Sequence, residues 1–313
     1  MQMTNKLLFS IGVPAFKAAF LKDCIQSILN QTYENFELII VNDASPEDLE
    51  TIVSFFNDDR IKYHCNEHNF GALNVVDNWN KCLSYAKGDY FVLMGDDDLM
   101  EPDYLINFKS LIEKYPQLNV FHCRSNIINE SSELIGVTPS WPEYESLCEN
   151  IWHRLFTNRV QYVSDFVYRT EVLRSNGGFF KQPLAWASDD ITAYMMIDVY
   201  GIAHINRPLL NYRRNPKTIS STGNVNFKLM AIKNEISWIK EFVAGVKPIE
   251  KKEYLLASLI ENNIAKYQIK KQAYTCVHFF SKGFLFGVID LMRVKDIPLR
   301  VKILSIALVF KRN

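Results

Sequence analysis

Two sets of carboxylates in this chain have the residue type and spacing to do chemistry. Asp96-Asp97-Asp98 stand behind the apolar run Phe91-Val92-Leu93-Met94 and a single Gly95. Three like charges this close repel one another, and burial raises the cost. A hard divalent cation relieves it, because Mg²⁺ and Mn²⁺ take carboxylate oxygens and bridge to substrate phosphates. The plain alternative is a solvated acidic turn; the place at the end of an apolar run favours the cation. Asp189-Asp190 form the second set, with Asp190 lying 92 residues beyond Asp98. Neighbouring carboxylates suit a raised pKa on one member, which a proton-accepting group needs. The plain alternative is an acid in the first turn of a helix, and both roles can hold together.

The elements that position these residues follow from apolar periodicity. Strands are predicted over 7–13, 36–41, 61–64 and 90–94. Helices are predicted between them. One covers 21–29, with Leu21, Cys24, Ile25, Ile28 and Leu29 on one face. One opens with Ser45 as N-cap and Pro46 at the first helical position, and one covers 72–85. This alternation gives an α/β fold, a mostly parallel sheet flanked by helices. Ligands in such sheets bind beyond the carboxyl ends of the strands. Asn42-Asp43-Ala44-Ser45 and Gly95-Asp96-Asp97-Asp98 stand there. Farther on, the pattern predicts a helix over 102–115, a strand over 120–123, and a Ser/Glu/Pro-rich loop over 129–150. A strand over 166–169, a sharp turn at Gly177-Gly178-Phe179, a helix over 190–200 and a strand over 202–205 follow. From 225 onward only helical patterns occur, with breaks near 245–248 and 283. The α/β part is therefore bounded near residue 220, with a helical region over 221–313.

The 313 residues, 48% hydrophobic and 22% charged, suit one large globular domain or two small ones. Lys and Arg balance Asp and Glu at 35 each, which argues against a nucleic-acid binder. The balance is uneven along the chain. Residues 251–313 hold 12 Lys/Arg against 4 Asp/Glu, a net of +8, so residues 1–250 carry −8. Six cysteines lack metal or redox spacing and no export signal is read, which fits a reducing cytoplasm; the six histidines are scattered and read as structural. No apolar stretch reaches the ~18–20 residues of a membrane span. The apolar clusters within 279–291 and 299–310, flanked by Lys295, Arg300, Lys302, Lys311 and Arg312, read as basic amphipathic helices for an anionic membrane surface. The alternative is a bundle packed on the catalytic part or on a second subunit.

The ordered set of motifs resembles the family 2 glycosyltransferases of the GT-A fold over roughly residues 5–220. The matching pieces are Val13-Pro14-Ala15-Phe16, Ser27-Ile28-Leu29-Asn30-Gln31-Thr32-Tyr33, Val41-Asn42-Asp43-Ala44-Ser45, Asn69-Phe70-Gly71, Asn78-Trp79-Asn80 and Gly88-Asp89-Tyr90, leading into the acidic turn. The resemblance implies a nucleotide-sugar half over about 1–100 and an acceptor half over about 101–220. It implies that Asp43 reads uracil, that Pro14, Ala15 and Phe16 line base and ribose, and that Asn69 and Gly71 complete that end. Asp98 and Asp96 would hold Mn²⁺ or Mg²⁺, with Asp97 near the ribose. Gly95 stands where many relatives have Asp. Asp190 matches the family's base and Asp189 the acid before it. Gly177, Gly178, Phe179 and Trp186 would line the sugar or acceptor pocket. Arg213 or Arg214 would meet the diphosphate, and Asn215 replaces a frequent His.

The implied activity is metal-dependent, inverting transfer of a hexosyl or N-acetylhexosaminyl group from a UDP-sugar, or a dTDP-sugar, to a glycan or lipid-linked oligosaccharide. The implied setting is bacterial surface polysaccharide synthesis, in the cytoplasm or on the inner face of the cell membrane. A nucleotidyltransferase would show a Gly-rich phosphate loop after the first strand, where this chain has Pro14-Ala15-Phe16-Lys17. A non-catalytic glycan-binding relative would lose an acidic motif, and both are present. A dehydrogenase would need GxGxxG, which is absent.

Overall fold

The computed structural model describes residues 6–157, 159–215, 224–246 and 250–312. Among these described residues, ten strands form one sheet: β1 (Phe9–Ala15), β2 (Phe36–Asn42), β3 (Ile61–Cys65), β4 (Tyr90–Leu93), β5 (Leu99–Met100), β6 (Val120–Ile128), β7 (Leu134–Val137), β8 (Tyr144–Glu145), β9 (Phe166–Arg169) and β10 (Ile202–Arg213). The main order is β3-β2-β1-β4-β9-β6-β10-β5, with β7 beside β6 and β8 beside β10. β3, β2, β1 and β4 run parallel, β9 is reversed, and β6 and β10 are parallel to each other. The sequence predicted this mostly parallel α/β sheet. The central strands are apolar throughout because both faces are covered. Ile11, Val13, Leu38 and Ile40 face the layer holding Leu21 and Ile25 of the helix Leu21–Leu29. Ile39, Val41, Phe91 and Leu93 face the opposite layer.

Several local expectations change. The helix after β2 runs Leu49–Ser54 and is capped by Asp48, whose Oδ1 accepts from the Thr51 N–H at 3.1 Å. Ser45 instead donates to the Phe16 carbonyl at 2.6 Å and so ties the ends of β1 and β2 together. Residues 129–150 are not a loop: they contain β7, β8 and the start of the helix Leu147–Phe156. That helix opens with a capping box, Ser146 with Glu149, whose S-x-x-E spacing was legible. β6 and β10 outrun their predicted ends because Arg124, Asn126 and Asn206 interrupt the apolar pattern without ending the ladder. The helix expected over 190–200 is Ser188–Ile197, closed by a 3-10 turn at Asp198–Tyr200. His122 and His204 are not scattered in space; neighbours on β6 and β10, their Nδ1 atoms are 3.1 Å apart in the core.

The boundary near residue 220 lies outside the described residues. Beyond it come the helices Val225–Gly245, Lys251–Cys276, Phe284–Arg293 and Leu299–Arg312. Ile232, Ile236, Ile239, Ile260 and Ile264 of the first two join the same core as Phe91, Tyr168 and Phe179. The front of the basic region is therefore built into the α/β body, which realises the packing alternative for that part. The last two helices gather around Leu291, Ile297 and Val301. Among the described residues, no helix is long and apolar enough to cross a membrane.

Candidate active site

The acidic turn is assembled from three distant segments. The Phe16 and Lys17 N–H groups, just past β1, donate to Asp96 Oδ2 at 2.8 and 2.9 Å. The Arg213 N–H at the end of β10 donates to Asp98 Oδ1 at 2.9 Å, and the Ser164 hydroxyl to Oδ2 at 3.0 Å. Ser164 also accepts from the Gly95 N–H at 3.1 Å. Gly95 suits this fold, since a Cβ there would lie 2.8 Å from Asp98 Oδ2.

Burial pushes the Asp96 carboxyl up to about 6. Burial pushes Asp98 well above its ordinary value, with the neighbouring charge of Asp97 adding to it. Burial raises Asp97 too, against the pull of Lys17. Hard oxygen donors forced together in a low-dielectric site fit a divalent cation. Among the described residues no three His, Cys, Asp or Glu side chains are already gathered as a metal cage. An ion here would take one or two carboxylates and complete its shell with phosphate and water, the habit of Mg²⁺.

The second acidic set follows a strained connection. Leu184, Ala185 and Ala187 have φ of 60°, 51° and 64°, left-handed values that cost non-glycine residues about 1–3 kcal/mol each. Gln182 anchors this connection to the helix Val225–Gly245, donating to the Ala231 carbonyl at 3.4 Å and accepting from Asn234 at 3.3 Å. The strain delivers Asp189 and Asp190 to the first turn of the helix Ser188–Ile197. Arg154 Nε donates to Asp190 Oδ1 at 2.7 Å and Nη2 to Oδ2 at 3.0 Å; Gln161 adds a 2.6 Å bond to Oδ1. Asp190 is thus the anchored member. Burial pushes Asp189 up to about 7, helped by the Asp190 charge and opposed by Arg154.

One cavity of about 730 Å³ joins both acidic sets. Pro14, Phe16, Asp43, Asn69 and Gly71 line it, as do Asp96, Asp97, Asp98, Trp186, Asp189 and Asp190. At the Asp43 end, the carboxylate accepts from Asn66 Nδ2 at 3.0 Å and from the Phe70 N–H at 3.1 Å. Asn69 donates to the Asp43 carbonyl at 2.8 Å, folding the 66–71 segment over this carboxylate.

Other expected residues lie elsewhere. Ala15 is fully buried in the core beneath the cavity floor. Gly177, Gly178 and Phe179 do not line the cavity; they form a packing turn. Asn80 Oδ1 accepts from the Phe179 N–H at 2.7 Å, and a Cβ on Gly178, at φ 81°, would come within 2.3 Å of that oxygen. Arg213 does not line the cavity. Its fully buried guanidinium donates to the carbonyls of Asp97 at 2.8 Å and Asn129 at 2.9 Å and lies 4.1 Å over Phe20. It braces the acidic turn from behind. Arg214 is exposed beside Tyr162 and outside the cavity wall.

Residues missed by sequence reasoning include Lys17, Trp79, Arg154, Tyr162, Tyr212 and Lys271, all on the cavity wall. Tyr162 and Tyr212 stack at 3.5 Å between centroids. Trp79 stood inside the quoted Asn78-Trp79-Asn80, and Tyr212 opens the segment Tyr212-Arg213-Arg214-Asn215 that supplied Arg213 and Arg214, so both carried a signal. Arg154 and Lys271 carried none.

Residues 10–174 match the model of glycosyl transferase family 2. The putative colanic acid biosynthesis glycosyl transferase WcaA of Escherichia coli (strain K12) is 30% identical over 237 residues, 70% of this chain and 80% of its own length. S. aureus TarS 1-349 in complex with UDP-GlcNAc aligns with a TM-score of 0.66 at 16% identity, over 96% of this chain and 89% of that one. The mannosyltransferase PcManGT from Pyrobaculum calidifontis, in complex with GDP-Man and Mn²⁺, aligns with a TM-score of 0.58 at 14% identity, over 99% and 89%. At those identities the two structures speak for the fold.

Two outcomes test this geometry. Gly178→Ala is expected to cost about 2 kcal/mol in chemical denaturation through its left-handed φ and the Asn80 clash, with unchanged nucleotide binding by calorimetry. Asp189 binds its proton more tightly folded than unfolded, so its contribution lowers stability as pH rises from about 4 to about 7. Asp189→Asn is expected to raise the denaturation midpoint at pH 8 and leave it unchanged below pH 4.

Proposed function

The chain belongs to glycosyl transferase family 2, and from that premise we propose that it transfers a sugar, with inversion, from a UDP-sugar to a glycan or lipid-linked hydroxyl in surface polysaccharide synthesis. The observation that carries this reading is the single cavity shared by Asp43, the acidic turn and the carboxylate pair. The colanic acid assignment in WcaA's name supports the setting, and the UDP-GlcNAc complex of TarS supports a uridine donor.

Asp43 keeps lone-pair capacity for the imide N–H of uracil, and Pro14 and Phe16 border the same end. Asp98, with Asp96 and Asp97 beside it, would hold Mn²⁺ or Mg²⁺, as the Mn²⁺ complex of PcManGT supports. Such an ion supplies charge neutralisation on the diphosphate. Lys17, on the same wall, adds a cation there. Trp186, whose buried Nε1 has no hydrogen-bond partner among the described residues, offers an indole face and an N–H to the sugar.

The acceptor oxygen forms its bond to the anomeric carbon as the bond to the diphosphate oxygen breaks, and that electron pair leaves with UDP. A single displacement inverts the centre. The hydroxyl proton passes to the Asp189–Asp190 pair. The resemblance puts the base on Asp190; Arg154 and Gln161 fill most of its lone pairs, while Asp189 carries the proton affinity near neutrality. The two act as one proton-accepting unit.

The exposed apolar face of the last helices supports a peripheral membrane contact. Leu285, Phe286, Leu299 and Ile303 are exposed there among Arg293, Lys295, Arg300 and Lys302. Basic residues beside exposed apolar ones suit anionic headgroups.

Asp98→Asn is expected to remove the Mn²⁺-dependent part of UDP binding in calorimetry; equal affinity with and without Mn²⁺ in both proteins would sink the metal assignment. Asp189→Asn and Asp190→Asn should each keep UDP binding within about twofold and lose about 100-fold or more in transfer. Full turnover by one of them moves the base to the other. Leu285→Ser/Phe286→Ser/Ile303→Ser should weaken co-sedimentation with phosphatidylglycerol vesicles by about tenfold, and unchanged binding ends the membrane reading.

A further inference from the structure

The basic region sends one lysine into the catalytic cavity. Lys271, on the helix Lys251–Cys276, lines the same wall as Asp189, Asp190 and Arg154. Its Nζ donates to both oxygens of Glu235, at 2.8 and 2.7 Å. Glu235, on the helix Val225–Gly245, is fully buried, and the Tyr267 hydroxyl, one turn before Lys271, adds a 3.4 Å bond to it. The ammonium is therefore held in place, with its side chain 19% exposed. A buried ion pair is seldom the most stable filling for its volume, so this one asks for a role.

We propose that Lys271, clamped by Glu235, is a positioning residue that holds a fixed positive charge beside the Asp189–Asp190 pair. This rests on the pair being the proton acceptor. The charged and titratable groups around the pair come from every packed element. They are Arg154 from the helix Leu147–Phe156, Lys271 and Tyr267 from Lys251–Cys276, and Glu235 from Val225–Gly245. Tyr194 from the pair's own helix and Tyr168 from β9 complete them.

The physical need is specific. Burial and mutual repulsion make the pair retain a proton, yet a base must arrive deprotonated. Arg154 lowers that proton affinity by direct bonds to Asp190. Lys271 acts through space, because its ammonium is turned to Glu235, and its charge opposes protonation of Asp189. Glu235 keeps the ammonium from being a bare buried charge and from bonding the pair directly. A lysine and a glutamate on opposite sides of this balance must act with opposite signs.

The experiment uses the full chain and needs no known acceptor. Asp carboxyl carbons are labelled with ¹³C, the Asp189 signal is assigned by its loss in Asp189→Asn, and its pH titration is followed in each variant. Lys271→Gln is expected to move the titration upward by about half a pH unit, and Glu235→Gln to move it downward. Lys271→Arg should restore the original curve. Lys271→Gln leaves Glu235 without its partner, so the double variant Lys271→Gln/Glu235→Gln covers a folding failure; it should move the curve upward by less than the single change. A merely structural pair would lower the melting temperature without opposite-signed shifts. Shifts of the same sign, or no upward movement in the double variant, overturn the proposal. The acidic limb of Mn²⁺-dependent UDP release from UDP-glucose or UDP-GlcNAc, with water as acceptor, is then compared. A titration that moves without the limb following keeps Lys271 in this role and instead overturns the reading of the pair as the base.

Discussion

Asp96, Asp97, Asp98, Asp189 and Asp190 face one cavity, and burial disfavours the charged form of Asp96, Asp97, Asp98 and Asp189. Their repulsion organises the structure around it. Backbone N–H groups of Phe16 and Lys17 converge on Asp96, and that of Arg213 on Asp98. Arg213 also braces the turn's backbone through its side chain. Across the cavity, Arg154 and Gln161 close on Asp190. These partners come from the ends of β1 and β10, from the helix Leu147–Phe156 and from the loop after it, so the sheet order exists at the site as a set of electrostatic obligations.

Those obligations are incompletely met at Asp189, where burial and the Asp190 charge keep the proton affinity high. A carboxylate with its proton affinity near neutrality destabilises the folded chain at pH 7 and is suited to taking a proton. The strained connection 184–187 is a second local cost at the same place. Both costs are carried by the apolar core beneath, where Phe91, Tyr168 and Phe179 pack with Ile236 and Ile264 of the helical region.

The helical region thereby changes character. By composition its residues 251–313 are basic, with a net charge of +8 against −8 for the rest of the chain. In the structure its first two helices complete the core, hold the strained connection through Gln182, and bring Lys271 to the wall. Lys252 meets Glu149, while Glu253 accepts from the Ser146 hydroxyl and the Cys148 N–H. The Lys252–Glu149 ion pair thus joins the helical region to the body at their seam. The last two helices carry exposed apolar residues, Leu285, Phe286, Leu299 and Ile303, among basic ones.

Most of the strands and the two acidic sets were legible in the sequence, because strand periodicity and contiguous carboxylates are local properties of a chain. Asp43, the turn 96–98 and the pair 189–190 could each be found within a window of a few residues. What lay 36 residues before Asp190 could not: Arg154 sat just beyond the segment 129–150 read as a loop, in a stretch given no element, and carried no pattern of its own. Gly177-Gly178-Phe179 and Arg213 misled for the same reason, since a glycine turn or an arginine looks alike whether it meets a ligand or packs in a core. The sequence by itself determined which elements form and which residues can bear charge chemistry. The tertiary structure alone decided which of them face the cavity, because that depends on the register of β6 and β10 and on where the Val225–Gly245 and Lys251–Cys276 helices close over the sheet. Those choices are made by contacts between residues a hundred positions apart.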